Sequence, residues 1–291
     1  MRLFIYVLGI VFGVVFMSLN SVTTTSAVSK DFSDSTPVCS FGAVEVPNSV
    51  TAGAWQITDL DTQLVLAGHN ADSTFPFASV VKLLTSHVVQ QQADASSTKT
   101  ILTYSDIQTE GRAGNLQVGE QYSPHELLFP LLVTSSNDAG SALARVYPDL
   151  LPGMQKFVVE AGAVSTTVAD TTGLSRRNLT TANDLSLIVR SLYKNSPHTF
   201  DITRTSQIIS QYDNGWVNNI PFRLLSGYKG GKQGYLPEAK QTGVAVFTVG
   251  EETPKTFSVA ILFSDNVAKD MQILHQTVVE NYSCQSSVLA K

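Results

Sequence analysis

The sequence has few charged residues and no excess of positive charge. Lys, Arg, Asp and Glu make up 15% of its 291 residues, and the formal net charge is -5. A protein that binds nucleic acid neutralises phosphates with clustered basic side chains, so this composition excludes that class of partner. Hydrophobic residues account for 43% of the chain, which is typical of a globular protein with a sizeable core.

Signatures of metal, phosphate and Ser-His-Asp chemistry are also missing. A nucleophile elbow of the form G-x-S-x-G does not occur, and the glycine-rich "GYKGGKQG" lacks Walker spacing and precedes a predicted strand instead of a helix. The histidines lie far apart with none of the spacings typical of metal ligands. They are His69, His87, His125, His198 and His275. We therefore expect neither a metal nor an organic cofactor.

Cysteine occurs only twice, near the two ends of the chain. Cys39 and Cys284 could form a disulfide in an exported protein, or both could remain as free thiols. The bond would require the two ends of the fold to meet. It would then stabilise the protein by at most about 5 kcal/mol on the chain-entropy model.

The N-terminus carries an export signal. Met1 and Arg2 precede the uncharged run "LFIYVLGIVFGVVFM", which has the length of a signal-peptide core. Residues 1–27 are either a signal peptide cut after Ala27 or a retained membrane anchor. A Ser/Thr-rich linker follows over 28–38, the folded domain is expected over 39–284, and 285–291 form a tail. The protein is therefore expected outside the cytoplasm.

Apolar periodicity predicts strands at both ends of the domain and helices between them. "GAWQITDLDTQLVLAGHN" is typical of a hairpin, and "GVAVFTV" and "TFSVAILF" of two further strands before a closing helix, "NVAKDMQILHQTVVENY". Ser123 and Glu126 have capping-box spacing, and 184–193 has helical periodicity. We predict an α+β fold in which one antiparallel sheet, flanked by helices, is shared by both ends and an all-helical subdomain is inserted between them.

The stretch "FPFASVVKLLTSHVV", predicted as a helix from Phe75 to Val89, places a lysine among apolar residues. Ser79 and Lys82 are three residues apart and therefore share a helical face. Burial would disfavour the ammonium and lower the pKa of Lys82, which would make it a general base for a serine nucleophile. The alternative is a lysine that extends from a core helix to the surface.

Two further segments carry polar groups with a simpler alternative each. In "TSSND", Ser135 and Asn137 lie at a predicted break between helices, where such residues also serve as caps. In "YKGGKQGYLPEAK", Lys232, Gln233 and Gly234 would lie on a strand whose glycines permit close approach of another chain, with Lys232 adding positive charge for a carboxylate-bearing ligand. A glycine-rich hairpin with surface lysines is the alternative.

Together these three motifs occur in the order found in penicillin-recognising serine enzymes. The blocks "AWQITDLDTQLVLAGHNADSTFPFASVVKLLTS", "GEQYSPHELLFPLLVTSSNDAGSALA", "DTTGLSRRNLTTANDLSLIVRSL" and "KGGKQGYLPEA" resemble the D-alanyl-D-alanine carboxypeptidases, the low-molecular-mass penicillin-binding proteins. The resemblance covers roughly residues 54–282. It implies a β-lactamase/transpeptidase-like fold.

The resemblance implies roles for the motif residues. Ser79 would attack the carbonyl between two terminal D-alanines of a peptidoglycan stem peptide, Lys82 would accept its proton, and water would release the acyl-enzyme. Ser135 would relay protons, Asn137 would hold the substrate amide, and Lys232 would help to bind the C-terminal carboxylate. β-Lactams would be covalent inhibitors.

The resemblance also implies an oxyanion hole and exposes one departure from the family pattern. Backbone N–H groups of Ser79 and Tyr235 would form the oxyanion hole, and Gly234 would be one of the substrate-binding residues on the strand. The usual third motif is K-T-G, and Gln233 replaces the threonine that contacts the substrate carboxylate. The family also has a carboxylate-binding arginine near the last helix, for which Lys269 is the remaining candidate.

The expected activity is a serine-type D-Ala-D-Ala carboxypeptidase, with three alternatives. A β-lactamase is disfavoured because no glutamate motif for rapid deacylation lies between the second and third motifs. A D,D-endopeptidase would share the chemistry and differ in substrate. A non-catalytic wall-binding protein would keep the fold while Gln233 weakened turnover.

Overall fold

A computed structural model describes residues 38–41, 45–111 and 113–285. The predicted leader over 1–27, most of the linker and most of the tail lie outside the described residues. Within these three ranges, no helix is long and apolar enough to cross a bilayer.

Helices occupy the middle of the described chain and its C-terminal end. In chain order they are α1 Lys82–Gln90, α2 Pro124–Val133, α3 Asn137–Val146, α4 Leu150–Glu160, α5 Ala182–Asn195, α6 Pro197–Arg204 and α7 Val267–Asn281. The predicted capping box is present, since the Ser123 side chain accepts from the Glu126 N–H and the Glu126 carboxylate accepts from the Ser123 N–H.

Strands lie before, between and after these helices. In chain order they are β1 Val38–Phe41, β2 Ala54–Asp59, β3 Val65–His69, β4 Phe75–Pro76, β5 Thr100–Ile101, β6 Gln121–Tyr122, β7 Leu179–Thr180, β8 Gln207–Ile209, β9 Gly215–Val217, β10 Tyr228–Leu236, β11 Lys240–Val249, β12 Lys255–Ser264 and β13 Tyr282–Gln285.

The main sheet has five antiparallel strands in the order β10-β11-β12-β2-β3. The predicted hairpin forms β2 and β3, and the two predicted C-terminal strands form β11 and β12. Pairing of β12 with β2 joins the two ends of the chain, with Val259 opposite Ile57. The prediction of one antiparallel sheet shared by both ends is confirmed.

Alternation along β11 explains why its sequence is apolar throughout. Val244 and Val246 pack in one hydrophobic cluster with residues of α5, whereas Ala245 and Phe247 pack in a second cluster with residues of α7. Successive side chains on a strand point to opposite faces, so a sheet covered on both faces needs apolar residues at every position. The helical region, built on α1 and α2, continues the first cluster and therefore fixes α1 against the sheet.

The predicted helix from Phe75 to Val89 is wrong in its first turns. Phe75 and Pro76 form β4, which pairs with β7, and a 3-10 turn over Ala78–Val81 precedes α1. Ala78 has a φ of 45°, which is incompatible with a continuous right-handed helix. The chain also does not close on its last helix, because β13 follows α7 and pairs with β1.

The backbone of β1 and β13 brings the two cysteines into register. Cys39 lies directly opposite Cys284 in this antiparallel pair. Directly opposite residues have Cα atoms about 4.5–5.5 Å apart, which lies within the range that a disulfide spans. The condition that the ends of the fold meet is therefore fulfilled by the backbone, and the bond itself stays a prediction.

Candidate active site

Ser79 lies in the 3-10 turn between β4 and α1, where two backbone segments approach it closely. A Cβ atom added to Gly173 would lie 2.3 Å from the Ala78 carbonyl oxygen, and one added to Gly234 would lie 2.7 Å from the Ser79 nitrogen. Only glycine allows such contact. The left-handed Ala78 turns the chain so that the half-buried Ser79 lines a cleft between these two segments.

Lys82 is fully buried at the first position of α1. Its Nζ donates to Ser79 Oγ at 2.8 Å, to Asn137 Oδ1 at 2.7 Å and to the Thr172 carbonyl oxygen. Three acceptors match the three protons of an ammonium. When Lys82 loses one proton, its lone pair can accept only from the Ser79 hydroxyl, because the other two partners are carbonyl oxygens. The alternative of a lysine that reaches the surface is excluded by this burial.

The environment of Lys82 favours its neutral form. Burial lowers the pKa of Lys82 well below its usual 10.5, the charge of Lys232 lowers it further, and the charge of Asp170 raises it. Removing an ammonium from water penalises the charged state, and a second cation nearby adds repulsion. An uncharged amine within hydrogen-bond distance of a serine hydroxyl can accept its proton.

Thr172 belongs to a loop whose conformation is stabilised by the carboxylate of Asp170. The Asp170 carboxylate accepts from the backbone N–H groups of Thr172 at 2.7 Å, Gly173 at 2.5 Å and Ser175 at 2.5 Å. These contacts outweigh burial and lower the pKa of Asp170. Neither Asp170 nor Thr172 was predicted to have a role. The turn-forming "DTTG" within one of the quoted blocks was the available signal.

Ser135 and Asn137 lie at the junction of α2 and α3, as expected. The cap of α3 is Ser136, whose side chain accepts from the Ala139 N–H, so the alternative of a mere cap applies to neither Ser135 nor Asn137. Asn137 accepts from Lys82 and donates to the Glu110 carbonyl oxygen at 2.7 Å. One amide thus ties the buried lysine to the loop that forms the rim of the cleft.

Lys232, on β10, is fully buried instead of exposed on a hairpin. Its Nζ donates to Ser135 Oγ at 2.9 Å and to the Gln233 carbonyl oxygen at 2.9 Å. Burial lowers the pKa of Lys232 to about 7. The site therefore contains two Lys–Ser pairs, Lys82 with Ser79 and Lys232 with Ser135, which come from three segments of the chain.

The groups surround a cleft of about 670 Å³. Its lining includes Ser79, Ser135, Asn137, Gln233, Gly234 and Tyr235, together with Glu110 and Leu174, which sequence reasoning missed. Lys269 is exposed on α7 and does not belong to this lining. Among the described residues, no group of three or more His, Cys, Asp or Glu side chains could hold a metal ion.

Comparison with known proteins identifies the family to which the sequence is similar. The D-alanyl-D-alanine carboxypeptidase family profile matches residues 42–259. The chain is 32% identical to the D-alanyl-D-alanine carboxypeptidase DacB2 of Mycobacterium tuberculosis over 72% of this chain and 74% of that protein. It is 28% identical to a D-alanyl-D-alanine endopeptidase of Pseudomonas aeruginosa over 60% of this chain, which spans only 55% of that relative.

A solved structure has the same fold. The D-alanyl-D-alanine carboxypeptidase from Mycobacterium tuberculosis superposes with a TM-score of 0.73 at 26% identity, covering 81% of this chain and 93% of that one.

Proposed function

The chain belongs to the serine D-alanyl-D-alanine carboxypeptidase family, and from that premise we propose that Ser79 is the nucleophile that forms an acyl-enzyme with a peptidoglycan stem peptide. One observation carries the proposal: the Nζ of the fully buried Lys82 lies 2.8 Å from Ser79 Oγ. Distance and burial together supply what a serine nucleophile needs, a neighbouring amine whose pKa burial lowers well below its usual value so that it can act as a base.

Acylation exchanges one bond and moves two protons. Neutral Lys82 accepts the Ser79 hydroxyl proton while Ser79 Oγ bonds to the carbonyl carbon, and the C–N bond to the leaving residue then breaks. The leaving nitrogen takes a proton from Ser135, which regains one from the Lys232 ammonium at 2.9 Å. In deacylation, water adds its oxygen to the acyl carbon and gives a proton back to Lys232 through Ser135, while Lys82 returns its proton to Ser79 Oγ. Asn137, held by Lys82 and the Glu110 loop, would orient the substrate amide.

Backbone N–H groups of Ser79 and Tyr235 would bind the oxyanion. The approach of β10 to the Ser79 turn, which requires Gly234, supports this assignment because it brings the two segments side by side. A donor of this kind contributes about 3–4 kcal/mol to transition-state stabilisation.

The family acts on peptidoglycan peptides, so its substrates lie outside the cytoplasmic membrane. We propose that residues 1–27 direct export, as a cleaved signal or an anchor, that 28–38 link them to the peptidase domain over 39–284, and that 285–291 form a tail. β-Lactams, which resemble the D-Ala-D-Ala terminus, would acylate the same serine.

Purified full-length protein tests the proposal in two ways. We expect a fluorescent penicillin to label it covalently and for many minutes, and a pentapeptide ending in D-Ala-D-Ala to lose D-alanine. Ser79→Ala should abolish labelling, whereas Ser73→Ala, an exposed serine six residues earlier, should retain it. Peptide binding without release would instead support a non-catalytic wall-binding protein, and rapid penicillin turnover a β-lactamase.

A further inference from the structure

The side-chain amide of Gln233 is turned away from a substrate. Its Nε2 donates to the Asn219 carbonyl oxygen at 2.7 Å. Asn219 in turn donates through Nδ2 to the Thr134 carbonyl oxygen at 3.3 Å, which directs its own Oδ1 toward Gln233 Nε2 at 3.5 Å. Both partners of Nε2 are oxygens, so the orientation of the Gln233 amide follows from its contacts.

This orientation leaves Oε1 as the end of the Gln233 amide available to the cleft. Within the described ranges, Oε1 accepts no hydrogen bond, and Gln233 belongs to the cleft lining. A threonine at this position would present a hydroxyl, which can donate. Gln233 presents a carbonyl oxygen, which can only accept.

The described lining of the cleft also lacks a cation. Its one charged side chain is the exposed Glu110, which is acidic. Lys232, expected to bind a substrate carboxylate, is fully buried and already donates to Ser135 and to the Gln233 backbone. Lys240, beside the far end of the cleft, pairs with Asp265 at 2.6 Å.

A free carboxylate bound beside Gln233 Oε1 would place two acceptors against each other, and the described lining residues offer it no cation, so this contact does not replace the hydrogen bonds that the carboxylate gives up to water. An amide N–H in the same place would donate to Gln233 Oε1. We propose that Gln233 is a specificity-determining residue that shifts this peptidase from substrates with a free C-terminal carboxylate to substrates whose leaving D-alanine is itself in amide linkage.

The inference rests on the proposed function and changes only the leaving group. The same C–N bond breaks, the leaving nitrogen gains the same proton, and water completes the turnover. The difference lies in the residue released, which carries an amide where a carboxypeptidase product carries a carboxylate. An internal peptide bond of cross-linked stems and an amidated terminus share this chemistry.

Matched peptides separate these substrates. Diacetyl-L-Lys-D-Ala-D-Ala is compared, on full-length protein, with its C-terminal amide and with the same peptide extended by glycinamide, and the released amine is quantified by mass spectrometry. We expect kcat/KM for at least one amide-linked peptide to exceed that for the free acid by about tenfold or more. Preference for the extended peptide would identify internal bonds as the natural target.

Two variants tie the preference to the side chain. Gln233→Thr should raise kcat/KM for the free acid relative to the amides by about tenfold. Gln207→Thr, an exposed glutamine on β8 outside the cleft, should leave that ratio unchanged. A wild-type preference for the free acid, or an unchanged ratio in Gln233→Thr, would overturn the inference while penicillin labelling of Ser79 still upheld the proposed function. Absence of both labelling and cleavage would overturn the proposed function itself.

Discussion

Replacing Gly234 by alanine places one methyl group between β10 and the turn that carries Ser79. The added Cβ would lie 2.7 Å from the Ser79 nitrogen, 2.8 Å from Thr242 Oγ1 and 2.9 Å from Ala78 Cβ, all far inside van der Waals contact. Two of these three atoms belong to the Ser79 turn. The methyl group therefore has to push the nucleophile and β10 apart.

The magnitude follows from this displacement. A misplacement approaching 1 Å in a catalytic arrangement costs on the order of 10²-fold in rate. Overpacking of a well-packed interior costs about 1–3 kcal/mol of stability. For a domain of this size that lowers the Tm by a few degrees per kcal/mol, which leaves the protein folded at room temperature.

The assay compares stopped-flow acylation by a fluorescent penicillin with thermal unfolding. We expect Gly234→Ala to be acylated about 10²-fold more slowly than the wild type while remaining folded at 25 °C. Gly215→Ala is the matched control, because a Cβ there meets nothing within 4 Å. Acylation of Gly234→Ala within a few-fold of wild type, at a native Tm, would refute the close packing of β10 against Ser79.

Three further predictions concern charge and covalent structure. The charge of Asp170 raises the pKa of Lys82, so Asp170→Asn should move the acid limb of the acylation pH profile to lower pH; a uniform loss at all pH values would reduce Asp170 to a loop-folding role. Burial lowers the pKa of Lys232 to about 7 in the folded protein, whereas the unfolded chain keeps the Lys232 proton up to about pH 10. Because the unfolded chain binds more protons between these two values, the free energy of unfolding rises with pH in that window. In urea unfolding, the rise in the free energy of unfolding between about pH 7 and about pH 10 should be smaller for Lys232→Met than for the wild type. The same rise in both proteins would contradict this prediction. Cys39 and Cys284 should resist alkylation until reduced, and reduction should lower the free energy of unfolding by up to about 5 kcal/mol; labelling of both thiols without reductant would exclude the bond.

Much of the fold could be predicted because the signals were local. The two β-type runs that form β2 and β3, the continuous apolar runs of β11 and β12, and the Ser123 capping box each depend on residues within a few positions. The turn before α1 could not be predicted in this way. Its conformation depends on β4 pairing with β7, about 100 residues later, which overrides the helical pattern of the apolar residues.

For the site, the identity and order of the reacting groups, and the spacing that brings Ser79 near Lys82, follow from the order of residues along the chain. The burial of Lys232, the carbonyl of Thr172 at Lys82 and the orientation of Gln233 toward Asn219 were decided only by the tertiary structure. Each depends on desolvation or on hydrogen bonds between segments 14 to 90 residues apart, and such interactions have no local sequence pattern. The residue types therefore indicate the chemistry of the site. The pKa values and orientations of these side chains depend instead on the neighbours that folding brings to them.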